Sequence, residues 1–220
     1  MPVHHTFHNE LEKLNQKLLT MVALVEDRVR KAVTVIETHD EELVKSIIRS
    51  DYQIDDMEVE IEEDCLKILA LHQPVASDLR FLITVIKVNN EIERIGDMAV
   101  NIAKRVDVIS QTSEVMKGSF DYSEMSEHVI TMLRMSLDAL VHRDASMARQ
   151  IFLIEDKVNT LRNQAYDAVI KMLTLYPEHP GCMVNNYLLA RHLERIADRA
   201  TNIAEEVIYL VEGEIVRLRS

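Results

Sequence analysis

Apolar residues recur every three or four positions along almost the whole chain, with polar positions between them. That spacing marks one face of an α-helix. Leu11, Leu14, Leu18, Met21, Ala32 and Ile36 set the stripe of a first predicted helix over 7–38, with Leu24 or Val25 and then Arg28 or Val29 filling the gap. Asp40 reads as the N-cap of a second helix over 40–72, striped by Leu43, Ile47, Ile54, Met57, Ile61, Cys65, Ile68 and Leu69. Gln73-Pro74 ends it, because the residue before a proline disfavours helix. The third continues to Ser110, with Val88, Ile92, Ile95, Ala99, Ile102 and Val106 along one side. Residues 111–120 are polar and read as the linker. The pattern then restarts, predicting helices over 122–141, 144–176 and 182–212, the last stopped by Gly213. The polar lead with His4, His5 and His8 reads as a frayed terminus more readily than as a metal tract.

A phrase on the third helix is repeated on the sixth. Glu93-Arg94-Ile95-Gly96-Asp97-Met98-Ala99-Val100-Asn101-Ile102-Ala103 returns as Glu194-Arg195-Ile196-Ala197-Asp198-Arg199-Ala200-Thr201-Asn202-Ile203-Ala204, identical at eight of eleven positions and displaced by 101 residues. Such a repeat implies a duplicated half. The fold expected is all-α: two tandem antiparallel three-helix bundles, 1–110 and 120–220, with helices of about 30 residues and roughly 45 Å.

Composition narrows the function classes. A formal net charge of −12 with no long Lys/Arg run argues against a nucleic-acid partner. Cys65 and Cys182 belong to no CxxC motif and read as packing thiols in a reducing cytoplasm. No run of about 18 apolar residues predicts a transmembrane segment, and no secretory leader is visible. Gly-rich phosphate loops, a Gly-x-Ser-x-Gly elbow and a Glu-x-x-His pair are all missing, so no catalytic residues and no organic cofactor site are expected.

The repeated phrase carries the candidate chemistry. Glu93 and Asp97, like Glu194 and Asp198, stand four apart and so share a helix face, where like charges repel by about 0.2–0.5 kcal/mol. Asn101 and Asn202 extend each line by a turn. A divalent or trivalent cation would offset the repulsion, since hard cations favour clustered oxygens. Ordinary charged faces with ion pairs from Arg94 to Asp97 and Arg195 to Asp198 are the other reading. Asp51, Asp55 and Glu155 on the second helix of each half could complete a site, with Asn159 standing opposite Asp55. Glu58, Glu60, Glu62 and Glu63 read as a solvated face, and His192 as structural. Three hypotheses stay open: a metal-binding adaptor, a carboxylate-bridged metalloenzyme and a structural helical bundle.

These residues resemble the PhoU family. The match is carried by Gln73-Pro74-x-Ala76-Ser77-Asp78-Leu79-Arg80, Glu91-x-Glu93-Arg94-Ile95-Gly96-Asp97, Met57-Glu58-Val59 with Cys65, and Glu155-Asp156-Lys157-Val158. The resemblance implies paired three-helix bundles, often dimeric, that bind iron, zinc, manganese or magnesium through the repeated acidic phrases. It implies a cytoplasmic negative regulator of the phosphate-starvation response that modulates high-affinity phosphate uptake. It also implies two partners, the ATPase subunit of the phosphate ABC transporter and a sensor histidine kinase, at the periphery of the inner membrane. Carried over by residue, the metal ligands would be Glu93, Asp97, Glu194 and Asp198.

Overall fold

Caps and turns divide the chain where the pattern changes. The computed structural model describes residues 2–111 and 120–217, and among them are seven helices and no strand. They are α1 (Pro2–Thr38), α2 (Glu41–Arg49), α3 (Tyr52–His72), α4 (Ala76–Ser110), α5 (Ser123–His142), α6 (Ala145–Leu175) and α7 (Pro180–Glu212). Helix runs from Pro2, so the lead expected to fray is part of α1. Most of the expected linker, 112–119, lies outside the described residues.

The same turn closes the first helix of each half. His39 and Arg143, 104 residues apart, both take φ of 51°, a left-handed stop that non-glycine residues adopt at a cost of roughly 1–2 kcal/mol. The next residue caps the following helix. Asp40 Oδ1 accepts from the Glu42 and Leu43 amides at 3.0 Å, and Asp144 Oδ1 accepts from Ser146 and Met147 at 2.9 and 3.0 Å. Gln73 ends α3 at φ 46°, its amide bonding to Leu69 O at 3.2 Å. Gly213 ends α7 at φ 75°, its amide on Tyr209 O at 2.9 Å.

One element departs from the pattern. The predicted helix over 40–72 is interrupted at Ser50-Asp51, where the bonding tightens: Gln53 N donates to Ser50 O and Ile54 N to Asp51 O, each at 3.2 Å. The cause is Arg28. It comes from the apolar stripe of α1, is only 4% exposed, and its Nη2 donates to the Ser50 carbonyl. A side chain inserted into the i→i−4 ladder kinks a helix in this way.

Packing centres on the two phrase helices. α4 lies against α1, α2 and α3 of its own half, α7 against α5 and α6, and α4 and α7 pack along each other, while α1 also touches α5. Because α4 and α7 face partners on two sides, their buried positions extend beyond the stripe to Val100, Ala103, Ala197 and Ala204. The stripe residues Ile92, Ile95, Ala99, Ile102, Leu193, Ile196, Ala200 and Ile203 are fully buried, each large one contributing about 1.5–3 kcal/mol.

Candidate metal centre

The helix break places one carboxylate opposite the phrase. Asp51 sits in the interrupted turn, Asp55 one turn into α3, and Asp97 on α4. Each offers one oxygen, and the three oxygens lie within 4.8 Å of one another, the one group of this kind among the described residues. Asp51 and Asp97 are half-buried and Asp55 is exposed, so the group opens to solvent on one side.

Glu93 flanks the triad one turn away on α4. Burial, then Asp97, Asp55 and Glu58, push it up to about 7, with Arg94 opposing. Asp55 is raised by burial and by Asp51, with Arg28 pulling the other way. Glu58, expected to be solvated, is half-buried, and its acid is raised by burial and then by Glu62 and Asp55. The first repeat therefore gathers Asp51, Asp55, Glu58, Glu93 and Asp97. Asn101 lies a turn beyond Asp97, half-buried.

Arg28 is the positive charge that faces them. Its Nη1 is 3.3 Å from Asp51 Oδ1, and Asp51, Asp55 and Asp97 all attract it against the opposing effect of burial. Gly96 makes room. A Cβ there would come within 3.1 Å of Ile54 Cδ1 and 3.4 Å of Arg28 Nη1. The second copy has Ala197 at this point and Met132 where Arg28 stands.

The second repeat is neutralised from within. Glu194 is 6% exposed; Arg162 Nε donates to its Oε1 at 3.0 Å and Arg191 Nη1 to its Oε2. Arg162 lies 104 residues after Glu58, so an arginine replaces a glutamate opposite the phrase. Glu155 is raised by burial, against a 3.2 Å bond from Thr201 Oγ1, and Asp198 is raised by burial and by Glu194. Asn202 is engaged elsewhere: its Nδ2 donates to Glu91 Oε2 at 3.1 Å, beside Arg199 at 3.2 Å. The structure thus brings Asp51, Asp55 and Asp97 together, keeps Glu93 next to them, and does not assemble Glu155, Glu194, Asp198 and Asn202 into a comparable group. The expected intrahelical pair from Arg94 gives way to a bond from its Nε to Asn90 Oδ1 at 2.9 Å.

His192 is 9% exposed, and neither ring nitrogen has a hydrogen-bond partner. Burial, then Arg105, Arg195 and Arg191, push it down to about 4, which keeps it neutral. Arg162 escaped the sequence reading, while Arg28 was read only as a stripe position and Glu58 as solvated. Alignment of the two halves on their aspartate caps would have paired Glu58 with Arg162.

Comparison with known proteins agrees with the duplication. The family model described as PhoU domain matches twice, over residues 18–106 and 122–207. The chain is 36% identical to the phosphate-specific transport system accessory protein PhoU homolog of Pseudomonas putida, across 97% of this chain and 85% of that protein. It is 34% identical to the protein of that name, PhoU, from Escherichia coli K12, across 96% of this chain and 87% of the other. The crystal structure of PhoU from Pseudomonas aeruginosa superposes with a TM-score of 0.88 at 35% identity, covering 94% of this chain and 100% of that one. The chain therefore belongs to the PhoU family, with two copies of the domain in tandem.

Proposed function

We propose that this chain is an accessory regulator of phosphate-specific transport whose first repeat binds a hard metal ion through Asp51, Asp55 and Asp97. The family is one of regulatory accessory proteins, not of enzymes, which sets the metalloenzyme alternative aside. The printed role of the relatives, accessory proteins of a phosphate-specific transport system, supports the transport part. The observation that carries the metal part is the carboxylate triad, three oxygens within 4.8 Å from two helices.

The donor set fits the group. It is all oxygen, without histidine or thiolate, which suits magnesium, manganese or iron better than zinc. A bound ion would supply positive charge that ties the α2–α3 break to α4. Asp51, Asp55 and Asp97 would hold it, with Glu93 and Glu58 beside it. In the second repeat Arg162 and Arg191 supply that charge permanently, so one strong site per chain is expected.

In this reading the protein works at the cytoplasmic face of the inner membrane. It acts as a homodimeric adaptor between the transporter ATPase and a sensor histidine kinase, and it represses the starvation response. No helix among the described residues is long and apolar enough to cross a membrane, so attachment there would be through partners. Protein purified without chelator should carry metal, and Mn2+ should raise its unfolding temperature as any ligand of the folded state does. Asp97→Asn should remove both effects and relieve repression at high phosphate. Equal metal content in wild type and Asp97→Asn would sink the proposal.

A further inference from the structure

We propose that Arg28 is a displaceable counter-ion of this metal site, an internal cation that occupies the carboxylates when metal is absent and retreats when metal binds. The inference rests on the metal reading of the triad.

Three observations carry it. First, Arg28 is almost wholly buried, yet its guanidinium is held by only the Ser50 carbonyl and Asp51 Oδ1, and Asp51 is one of the triad. A metal ion ligated by that carboxylate would stand beside a buried positive charge, so the two cations disfavour each other. Second, Arg28 has somewhere to go. It lines a cavity of about 330 Å3 between α1 and the α2–α3 break, whose other walls include Asp27, Lys31, Ser46, Ser50 and Gln53, with Asp27 and Lys31 paired at 2.6 Å. Ser46, Ser50 and Gln53 can receive a guanidinium that has left Asp51, on the side of the cavity away from Lys31. Third, the device belongs to the first repeat only. Met132 stands in the place of Arg28, and there the arginines on Glu194 come from α6 and from α7 itself.

The consequence is an exchangeable site. With Arg28 in place the carboxylates stay compensated and the α2–α3 break stays tied to α1, so loss of metal leaves a folded protein. The arginine also sets a threshold, because metal must compete with it. An opposite charge at this distance changes a carboxylate's affinity for a proton by roughly one to three powers of ten, and the competition with metal falls on the same scale.

The test is calorimetric titration with Mn2+ alone, on wild type, Arg28→Met, Arg28→Gln and Ser46→Phe. Gln keeps a donor for the Ser50 carbonyl if Met impairs folding. Ser46 is exposed, so Phe can fill the cavity mouth without entering the core. The arginine substitutions should tighten Mn2+ binding about tenfold or more. Without metal they should lower the unfolding temperature, and Mn2+ should restore it. Ser46→Phe should weaken binding by blocking the retreat. Unchanged or weaker affinity in both arginine variants overturns the inference while leaving the metal site standing, and undiminished affinity in Ser46→Phe overturns the retreat. No Mn2+ uptake by wild type or any variant overturns this inference and the metal reading together.

Discussion

At the scale of single residues, burial decides which of two similar groups is chemically available. Cys65 is fully buried, and burial with the nearby Asp64 and Glu62 pushes its thiol up to about 12. At pH 8 roughly one such group in ten thousand is thiolate, and the thiolate is the reactive form. In a Cys182→Ser background, a thiol reagent should label the native protein far more slowly than the denatured one at pH 7 and still at pH 9, where only about one such group in a thousand is thiolate. Rapid native labelling at pH 8 would contradict the packing. Periodicity already marked Cys65 as a stripe residue. It could place Arg28 on the stripe, as the alternative to Val29, but not say what a charged residue does there. Its meaning depends on Asp51 across the bundle, 23 residues away in sequence. Glu58 was misjudged for the same reason: a run of acids on one helix does not say which of them the neighbouring helix covers.

At the scale of elements, the two copies of one helical hairpin differ in charge: one gathers acids and the other offsets its acids with arginine. α3 presents Asp55 and Glu58 to the phrase on α4, while α6 presents Asn159 and Arg162 to the phrase on α7. The phrase itself was legible as an i, i+4 acidic line. Its partners were not, because side-chain identity on a facing helix is a tertiary property. Arg162→Glu tests this directly. It removes one of two arginines from buried Glu194 and adds a carboxylate, so the metal-free protein should lose roughly 2–4 kcal/mol. Mn2+ should recover much of that loss and bind with a stoichiometry near two per chain instead of one, as read by urea unfolding and calorimetry. A stoichiometry that stays at one would show that Glu155, Asp198 and the new acid cannot serve as ligands. The helix break at Ser50-Asp51 belongs here too. Its local sequence has neither Gly nor Pro, but Ser50 Oγ donates to the Ile47 carbonyl at 2.9 Å while Arg28 takes the Ser50 carbonyl, so local and tertiary bonds hold the break together.

At the scale of the molecule, the two halves share an interface as intimate as the packing within either. α4 and α7 bury stripes of apolar residues along one another, and polar bridges run along the seam: Lys87 to Glu206 at 2.9 Å, Arg199 and Asn202 to Glu91, and Arg105 to Asn185 at 3.2 Å. The duplication was plain in the sequence, and so were the spans of α4, α5, α6 and α7 to within a few residues, while α1 begins earlier than expected and the second expected helix is two. How the copies meet was hidden, since both sides of the seam are read as ordinary stripe.

That seam has a consequence for the chain cut in two. A piece comprising residues 1–111 would expose the α4 surface that α7 covers, and a piece from residue 120 onward would expose its counterpart. Each alone should be aggregation-prone or only partly ordered. Co-expressed, the two should find each other and co-purify as a noncovalent pair with the helical content and cooperative melting of the intact chain. Two pieces that each remained soluble and cooperatively folded in isolation would contradict the seam. If they do reassemble, the covalent connection serves chiefly to keep two unlike copies together in equal number, leaving one free to keep its acids while the other trades one of them for arginine.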